Sequence, residues 1–244
     1  MKRSFAGKTD TGLVRSVNQD SYHIDPEGRF FIVADGMGGH AGGQEASRIA
    51  TQAIEFYLNE HWNGPQESPE LLKKAFLAAN EAILLDQQKH PERSDMGTTA
   101  VAVMFRQDGE PWYANIGDSR LYRLRGAEFQ QITEDQTWVA QAVKRKALTP
   151  EQARSHPWRH VLSQCLGRED LGVIEIEPMD VRPGDRLLLC SDGLTEELPD
   201  SLIATPLKSI RACEKAAAAL VNAAKDKGGR DNITVVIVAF ELVK

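Results

Sequence analysis

Short apolar runs between turn residues predict most of the β-strands of this chain. The run FFIVA at 30–34 is continuous and ends at Asp35-Gly36, which is typical of a strand buried on both faces. Further strand patterns follow at 99–105, 112–116, 120–124, 129–132, 173–176, 186–190 and 233–240. The dipeptides Asp108-Gly109 and Arg125-Gly126 fall between neighbouring strands, as expected of hairpin turns.

Apolar residues at helical spacing predict three amphipathic helices. They cover 46–57, a segment that begins at Ser68-Pro69 and runs to 83, and 214–227, which ends at Gly228-Gly229. Because the strands come in runs and the helices are segregated between them, we expect an α+β protein rather than a βαβ repeat. No linker or internal repeat interrupts the pattern, which predicts a single domain over residues 1–244. Within it, the segment 135–167 is mostly polar, basic at 144–146, and carries two tryptophans.

Composition narrows the class of protein. The 244 residues include 41% hydrophobic and 26% charged residues, with a formal net charge of −6. A sequence pI near 5.6 argues against a protein built to hold nucleic acid. The longest apolar run is too short to cross a bilayer, and no secretory signal follows the first residues. Three widely spaced cysteines exclude a disulfide scaffold, so we expect a reducing, cytoplasmic setting.

Four aspartates lie next to the ends of predicted strands, and a fifth lies shortly before the strand predicted at 30–34. They are Asp20, Asp35, Asp118, Asp192 and Asp231. Any one of them is explained by the preference of aspartate for turns. A carboxylate at the rim of a buried strand, however, is costly unless it is paired or bound to a metal. Because these ligands offer only oxygen, without a histidine–cysteine cluster, the pattern indicates a hard cation such as Mg²⁺ or Mn²⁺.

Other chemistries fit the sequence less well. The glycine-rich segment 36–43 matches a dinucleotide fingerprint, but Asp35 would repel a pyrophosphate and the following strands do not alternate with helices. The segment around Ser119 lacks the final glycine of a nucleophile elbow. His156 and His160 lie four residues apart without the glutamate of a zinc motif, which favours an exposed turn. A nucleotide-dependent oxidoreductase and a catalytically idle binding module are the two alternative functions.

Six motifs in order along the chain resemble those of the metal-dependent serine/threonine protein phosphatases of the type-2C (PPM) family. They are TGLVRSVNQD (11–20), VADGMGGH (33–40), MGTT (96–99), NIGDSR (115–120), CSDGL (190–194) and GRDN (229–232). The length is similar to the compact bacterial branch, and within that branch to the cyanobacterial members that act on the phosphorylated P-II nitrogen-signalling protein.

The resemblance implies two antiparallel β-sheets packed as a sandwich flanked by helices (αββα), with a binuclear metal centre at one edge. Asp35 would bridge two tightly bound Mg²⁺ or Mn²⁺ ions, and the Gly36 carbonyl would bind one of them. Asp192 and Asp231 would complete the shell of the other ion, while Asp20 would act through a bound water.

Further roles follow from the same resemblance. Asp118 would help to hold a third, weaker ion. A hydroxide generated between the two metals would attack phosphorus directly, without a phosphoenzyme. Arg15 would bind the phosphate oxygens, and His40 would protonate the departing serine or threonine oxygen.

The segment 135–167 corresponds to the flap of the family, beside the catalytic cleft. Its arginines, Arg154 and Arg159, together with Arg168, would attract an acidic phosphoprotein. The expected partner is thus a phosphorylated protein substrate, with no nucleic acid and no membrane. We also expect the chain to act as a monomer.

Overall fold

Eleven β-strands and seven α-helices make up the part of the chain that the computed structural model describes, residues 2–39, 42–106 and 109–241. The strands are β1 (Lys2–Asp10), β2 (Asp20–Ile24), β3 (Phe30–Met37), β4 (Gly97–Thr98), β5 (Ala100–Met104), β6 (Trp112–Ile116), β7 (Arg120–Arg125), β8 (Glu128–Gln131), β9 (Glu175–Pro178), β10 (Arg186–Cys190) and β11 (Ile233–Glu241). The helices are α1 (Gly42–His61), α2 (Ser68–Lys89), α3 (Trp138–Lys144), α4 (Pro150–Arg154), α5 (Asp192–Thr195), α6 (Asp200–Ser209) and α7 (Cys213–Lys227).

The strands form two antiparallel sheets. Sheet one has the order β1-β11-β10-β7-β8, and sheet two has the order β2-β3-β5-β6-β9, with the short β4 paired to β3. No parallel pair occurs among the described strands. Antiparallel sheets can be connected by short turns, which explains why the strand patterns follow one another so closely in the sequence.

Three apolar layers stabilise the fold: one between sheet two and its helices, one between the two sheets, and one between sheet one and its helices. Strand β3 contributes to the first two. Its side chains Phe30 and Ile32 pack under α1 and α2, whereas Phe31 and Val33 face sheet one across the sandwich. On the far side, α6 and α7 cover sheet one. Both faces of β3 are therefore buried, as its continuous apolar run predicts, and each such side chain contributes roughly 1.5–3 kcal/mol. The predicted αββα class is confirmed.

The sequence pattern missed β1, β2, β4, α3, α5 and α6. The sequence of β1, KRSFAGKTD, is mostly polar, and its residues are only half-buried because it lies at the edge of sheet one. Helix α6 contains a proline at position 206, which obscures a helical pattern. None of the described helices combines the length and apolar character needed to cross a membrane.

Candidate active site

A cavity of about 250 Å³ lies at one end of the sandwich, where strands from both sheets terminate. Strands β3 and β6 reach it from sheet two, and β10 and β11 reach it from sheet one. The residues predicted for the site line it together: Arg15, Asp35, Gly36, Asp118, Asp192 and Asp231. Residues more than two hundred positions apart therefore meet because antiparallel strands from two sheets end at the same place.

The backbone at the end of β3 fixes Asp35. Its amide donates a hydrogen bond to Thr99 Oγ1 at 3.0 Å, and Thr98 Oγ1 donates to its carbonyl at 2.8 Å. The next residue must be glycine, because a Cβ at Gly36 would lie 1.9 Å from the carbonyl oxygen of Gly43. The two threonines are thus structural, and they hold the Asp35 carboxyl at the cavity wall.

Asp20 lies behind the cavity rather than on its lining. In the β2–β3 register it is directly opposite Asp35. Ser191 donates a hydrogen bond to its Oδ2 at 2.7 Å, but its buried Oδ1 has no hydrogen-bond partner in the described part of the chain. Burial raises the pKa of Asp20 to about 7. An orphaned buried carboxylate oxygen indicates that something absent from the chain itself completes this position.

The three carboxyl groups of Asp35, Asp118 and Asp192 repel one another. Burial raises the pKa of each, and the neighbouring carboxylates raise the pKa values further. None of the three forms an ion pair with lysine or arginine among the described residues. Buried like charges of this kind are costly unless a cation balances them. The donor set, all oxygen, fits Mg²⁺ or Mn²⁺ as the sequence predicts.

Arg15 approaches the carboxylates from the loop between β1 and β2. One of its terminal nitrogens donates to Asp231 Oδ2 at 2.7 Å, and its side chain is about half exposed, at 52%. The guanidinium can therefore reach an anion that enters the cavity from solvent.

Asn232 positions this loop, a role that sequence reasoning missed. Its Oδ1 accepts from the Gln19 amide at 2.7 Å, while its Nδ2 donates to the carbonyls of Thr11 and Val17 at 2.9 and 3.0 Å. The residue is buried, and three of the four hydrogen bonds open to its amide side chain are made to backbone groups. The GRDN motif contained this residue, but only its tertiary contacts show why asparagine is needed.

His160 and Glu196 also belong to the site and were not predicted. His160 lines the cavity from the flap, and its Nδ1 is paired with a Glu196 carboxylate oxygen. One ligand atom from each of these two residues and one from Asp192 lie within 4.8 Å of one another. The interpretation of His160 as merely part of an exposed turn is therefore incomplete. His40, the predicted proton donor, lies outside the described residues.

The segment 135–167 lies beside the cavity and contains α3 and α4. Helix α4 begins with a capping box, formed by Thr149 and Gln152. Gln136 fastens the segment to the site, because its amide donates to the Gly117 carbonyl at 2.9 Å and its Oε1 accepts from the Gly117 amide at 3.0 Å. The turn that carries Asp118 is therefore anchored to the base of this segment.

Comparisons with known proteins agree with this geometry. A family profile described as protein phosphatase 2C matches residues 14–233. The chain is 38% identical to the serine/threonine protein phosphatase PstP of Mycobacterium tuberculosis, covering 96% of this chain and 44% of the relative, so it spans less than half of that protein's length. It is 34% identical to the serine/threonine phosphatase stp of Listeria monocytogenes, covering 97% of this chain and 96% of the relative.

A solved structure shows the same architecture. The catalytic domain of the serine/threonine protein phosphatase PstP in complex with two manganese ions superposes with a TM-score of 0.84 at 35% identity, covering 97% of both chains. With the profile matching most of the chain and the αββα fold and carboxylate cavity in place, the prediction from the motifs is confirmed: the chain belongs to the protein phosphatase 2C family.

Proposed function

We propose that this chain is a metal-dependent phosphatase that hydrolyses phosphoserine and phosphothreonine in proteins. One observation carries the proposal: four aspartates and an arginine from both sheets converge on a single small cavity. The aspartates suit divalent cations, and the arginine suits a phosphate. The names of the mycobacterial and listerial relatives support the reaction and the protein substrate.

The metal ligands are proposed from the cavity and from the family. Asp35 and the Gly36 carbonyl, with Asp192 and Asp231, would hold two Mg²⁺ or Mn²⁺ ions, and Asp20 would contribute through a water. Asp118, on the turn held by Gln136, would hold a third, weaker ion. When bound, the two principal ions supply a hydroxide near neutral pH that attacks phosphorus without a covalent enzyme intermediate.

Arg15 would bind the phosphate. In the structure its guanidinium is engaged with Asp231. A planar guanidinium offers five N–H donors, so it can bind phosphate oxygens in a bidentate manner while keeping a contact with the carboxylate. This would orient the phosphorus toward the carboxylate cluster and lower the free energy of the charged transition state.

His40 would serve as the general acid. It lies in the glycine-rich segment that follows Asp35, four residues after Gly36. We propose that it donates a proton to the serine or threonine oxygen as the P–O bond breaks, since an unprotonated alkoxide is a poor leaving group.

The finer identity of the substrate remains a proposal from resemblance. The phosphorylated P-II signalling protein is the specific candidate, and the expected setting is a cytoplasmic monomer. A third class of function, an idle module of the same fold, is less favoured because the carboxylate set is complete.

The decisive experiment measures hydrolysis of para-nitrophenyl phosphate and of a phosphothreonine peptide with Mn²⁺, before and after chelation. We expect turnover of both, lost with the chelator, and a loss of roughly 10³-fold or more in Asp192→Asn. Asp226→Asn, the same change at an exposed position of α7, is the matched control. Absence of metal-dependent turnover in the unmodified chain would refute the proposal, and either alternative class would then be favoured.

A further inference from the structure

A large groove continues from the candidate active site. It has a volume of about 1980 Å³ and runs between the flap, the β9 edge of sheet two and the segment α5–α6. Asp118, His160 and Asp192 line both the groove and the catalytic cavity. The smaller cavity has room for a phosphate group, whereas the groove exceeds what a small ligand usually requires. Polypeptide on either side of a phosphorylated residue is therefore its natural occupant.

Strand β9, at the edge of sheet two, forms one wall of the groove. Ile176 of β9 and the preceding Ile174 pack against the apolar layer beneath α1 and α2. By the alternation of a strand, Glu175 and Glu177 belong to the opposite face, which in the neighbouring strands carries the apolar core between the sheets. The Tyr113 hydroxyl donates to Glu175 Oε1 at 2.9 Å, in agreement with this placement. Carboxylates thus replace apolar residues on the inner face of this edge.

Acidic residues outnumber basic residues along the groove. If the candidate metal ligands Asp118 and Asp192 are left out, seven Asp and Glu residues line it against four Lys and Arg residues, counted among the residues that the structure describes. Three of the cations are already used within the groove, in the ion pairs Arg120–Asp135, Lys144–Glu134 and Arg230–Glu197, at 2.6, 2.8 and 2.8 Å.

Several carboxylates consequently lack a basic partner. Glu175, Glu177 and Asp200 form no ion pair with lysine or arginine in the described part of the chain, and Arg159 is the cation that remains to balance them. The Ser163 hydroxyl, on the lining, also has no hydrogen-bond partner among the described residues. A ligand that brings N–H donors and positive charge would complement this surface.

We infer that the groove binds the polypeptide flanking the phosphorylated residue and selects substrates with lysine or arginine close to it. The inference rests on the proposed phosphatase function and specifies its substrate class. It reverses the substrate charge that Arg154, Arg159 and Arg168 suggest from sequence. Arg168 is engaged with Asp170 at 3.2 Å, the Arg159 charge is outweighed within the groove, and the Arg154 side chain lies outside what the structure describes.

The position of Glu175 and Glu177 on β9 also has a purely structural explanation. Charged side chains on an edge strand prevent it from pairing with other chains. That role requires no selectivity among substrates, so substrate selectivity distinguishes the two explanations.

The test compares three phosphothreonine peptides of equal length whose flanking residues are arginine, glutamine or glutamate. The full chain is assayed at saturating Mn²⁺ and low ionic strength, and para-nitrophenyl phosphate is assayed in parallel. Two to three additional exposed ion pairs predict roughly tenfold higher kcat/KM for the arginine peptide than for the glutamate peptide. The ratio should fall as salt is added, because exposed charges are screened.

Variants locate the effect. The double variant Glu177→Gln/Asp200→Asn removes two of the groove carboxylates that lack a basic partner and should bring the ratio of the arginine to the glutamate peptide close to one. Glu60→Gln, at an exposed position on α1 away from the groove, should leave the ratio as it is. Equal kcat/KM for the charged peptides, or a preference that persists in the double variant, would overturn the inference while leaving the phosphatase proposal intact. Absence of turnover of every phosphorylated compound would instead refute the proposed function, and this inference with it.

Discussion

The buried carboxyl of Asp20 makes the stability of the metal-free protein depend on pH. Burial raises its pKa from an ordinary 3.8 to about 7 in the folded chain. The folded state therefore holds a proton that the unfolded state has already released between these two values. Because the unfolded state then binds fewer protons, the free energy of unfolding falls as pH rises through this window. Burial of the carboxyl group is the main structural cause, and the nearby carboxylates of Asp192 and Asp231 raise the pKa further.

The change in the pKa of Asp20 sets the size of the loss in unfolding free energy. Roughly three pKa units correspond to a penalty of about 4 kcal/mol above pH 7, of which about 2.5 kcal/mol develops between pH 5 and pH 8. For a chain of this size, the melting temperature should therefore fall by about 5–10 °C over that range.

Denaturant unfolding of the chelated protein at pH 5 and pH 8 measures this loss, with Asp20→Asn as the matched variant. The variant cannot ionise, so the difference in unfolding free energy between it and the unmodified chain should change by about 2.5 kcal/mol across the range. Saturating Mn²⁺ should abolish the loss in the unmodified chain, because nearby cations favour charged carboxylates. An identical pH dependence in the two metal-free proteins would refute the argument from burial.

Two further predictions concern the roles proposed for single residues. Asp118→Ala should retain the two tight Mn²⁺ sites in calorimetric titration, whereas Asp35→Ala should lose both; loss of the tight sites in Asp118→Ala would contradict the assignment of Asp118 to the weaker ion. His40→Ala should slow hydrolysis of a phosphoserine peptide by roughly 10²–10⁴-fold but affect para-nitrophenyl phosphate much less, because nitrophenolate hardly needs a proton to depart. Parallel losses on the two compounds, measured at saturating Mn²⁺, would show that His40 supports the metal site instead.

The sequence predicted several of the aspartates that line the candidate cavity because their signals are local. Asp35 follows a continuous apolar run, and Asp192 follows another, so each could be placed at a strand end without knowledge of the partner strands. The ordered motifs then supplied the sandwich and the family. Hydrophobic periodicity alone could not have shown how the two sheets stack, because it reports only which face of each strand is buried.

The residues that were missed act through tertiary contacts. His160 is exposed and surrounded by polar residues in sequence, and only the packing of the flap brings it to Glu196. Asn232 is needed because of carbonyls that lie more than two hundred residues earlier in the chain. The burial of Asp20 likewise depends on Ser191, which approaches from the other sheet. No local pattern encodes such pairs.

The place of β11 between β1 and β10 has a consequence for synthesis of the protein. Sheet one cannot close until residues 233–241 are available, since β1 pairs along its whole length with that strand. Synthesis proceeds from the N-terminus, at about 5–20 residues per second, so most of the chain emerges before this sheet can form. Asp231 and Asn232 immediately precede β11, and with them comes the anchor of the loop that carries Arg15. A nascent chain thus completes the candidate cavity only after β11 has emerged, so products truncated before β11 should lack the proposed activity.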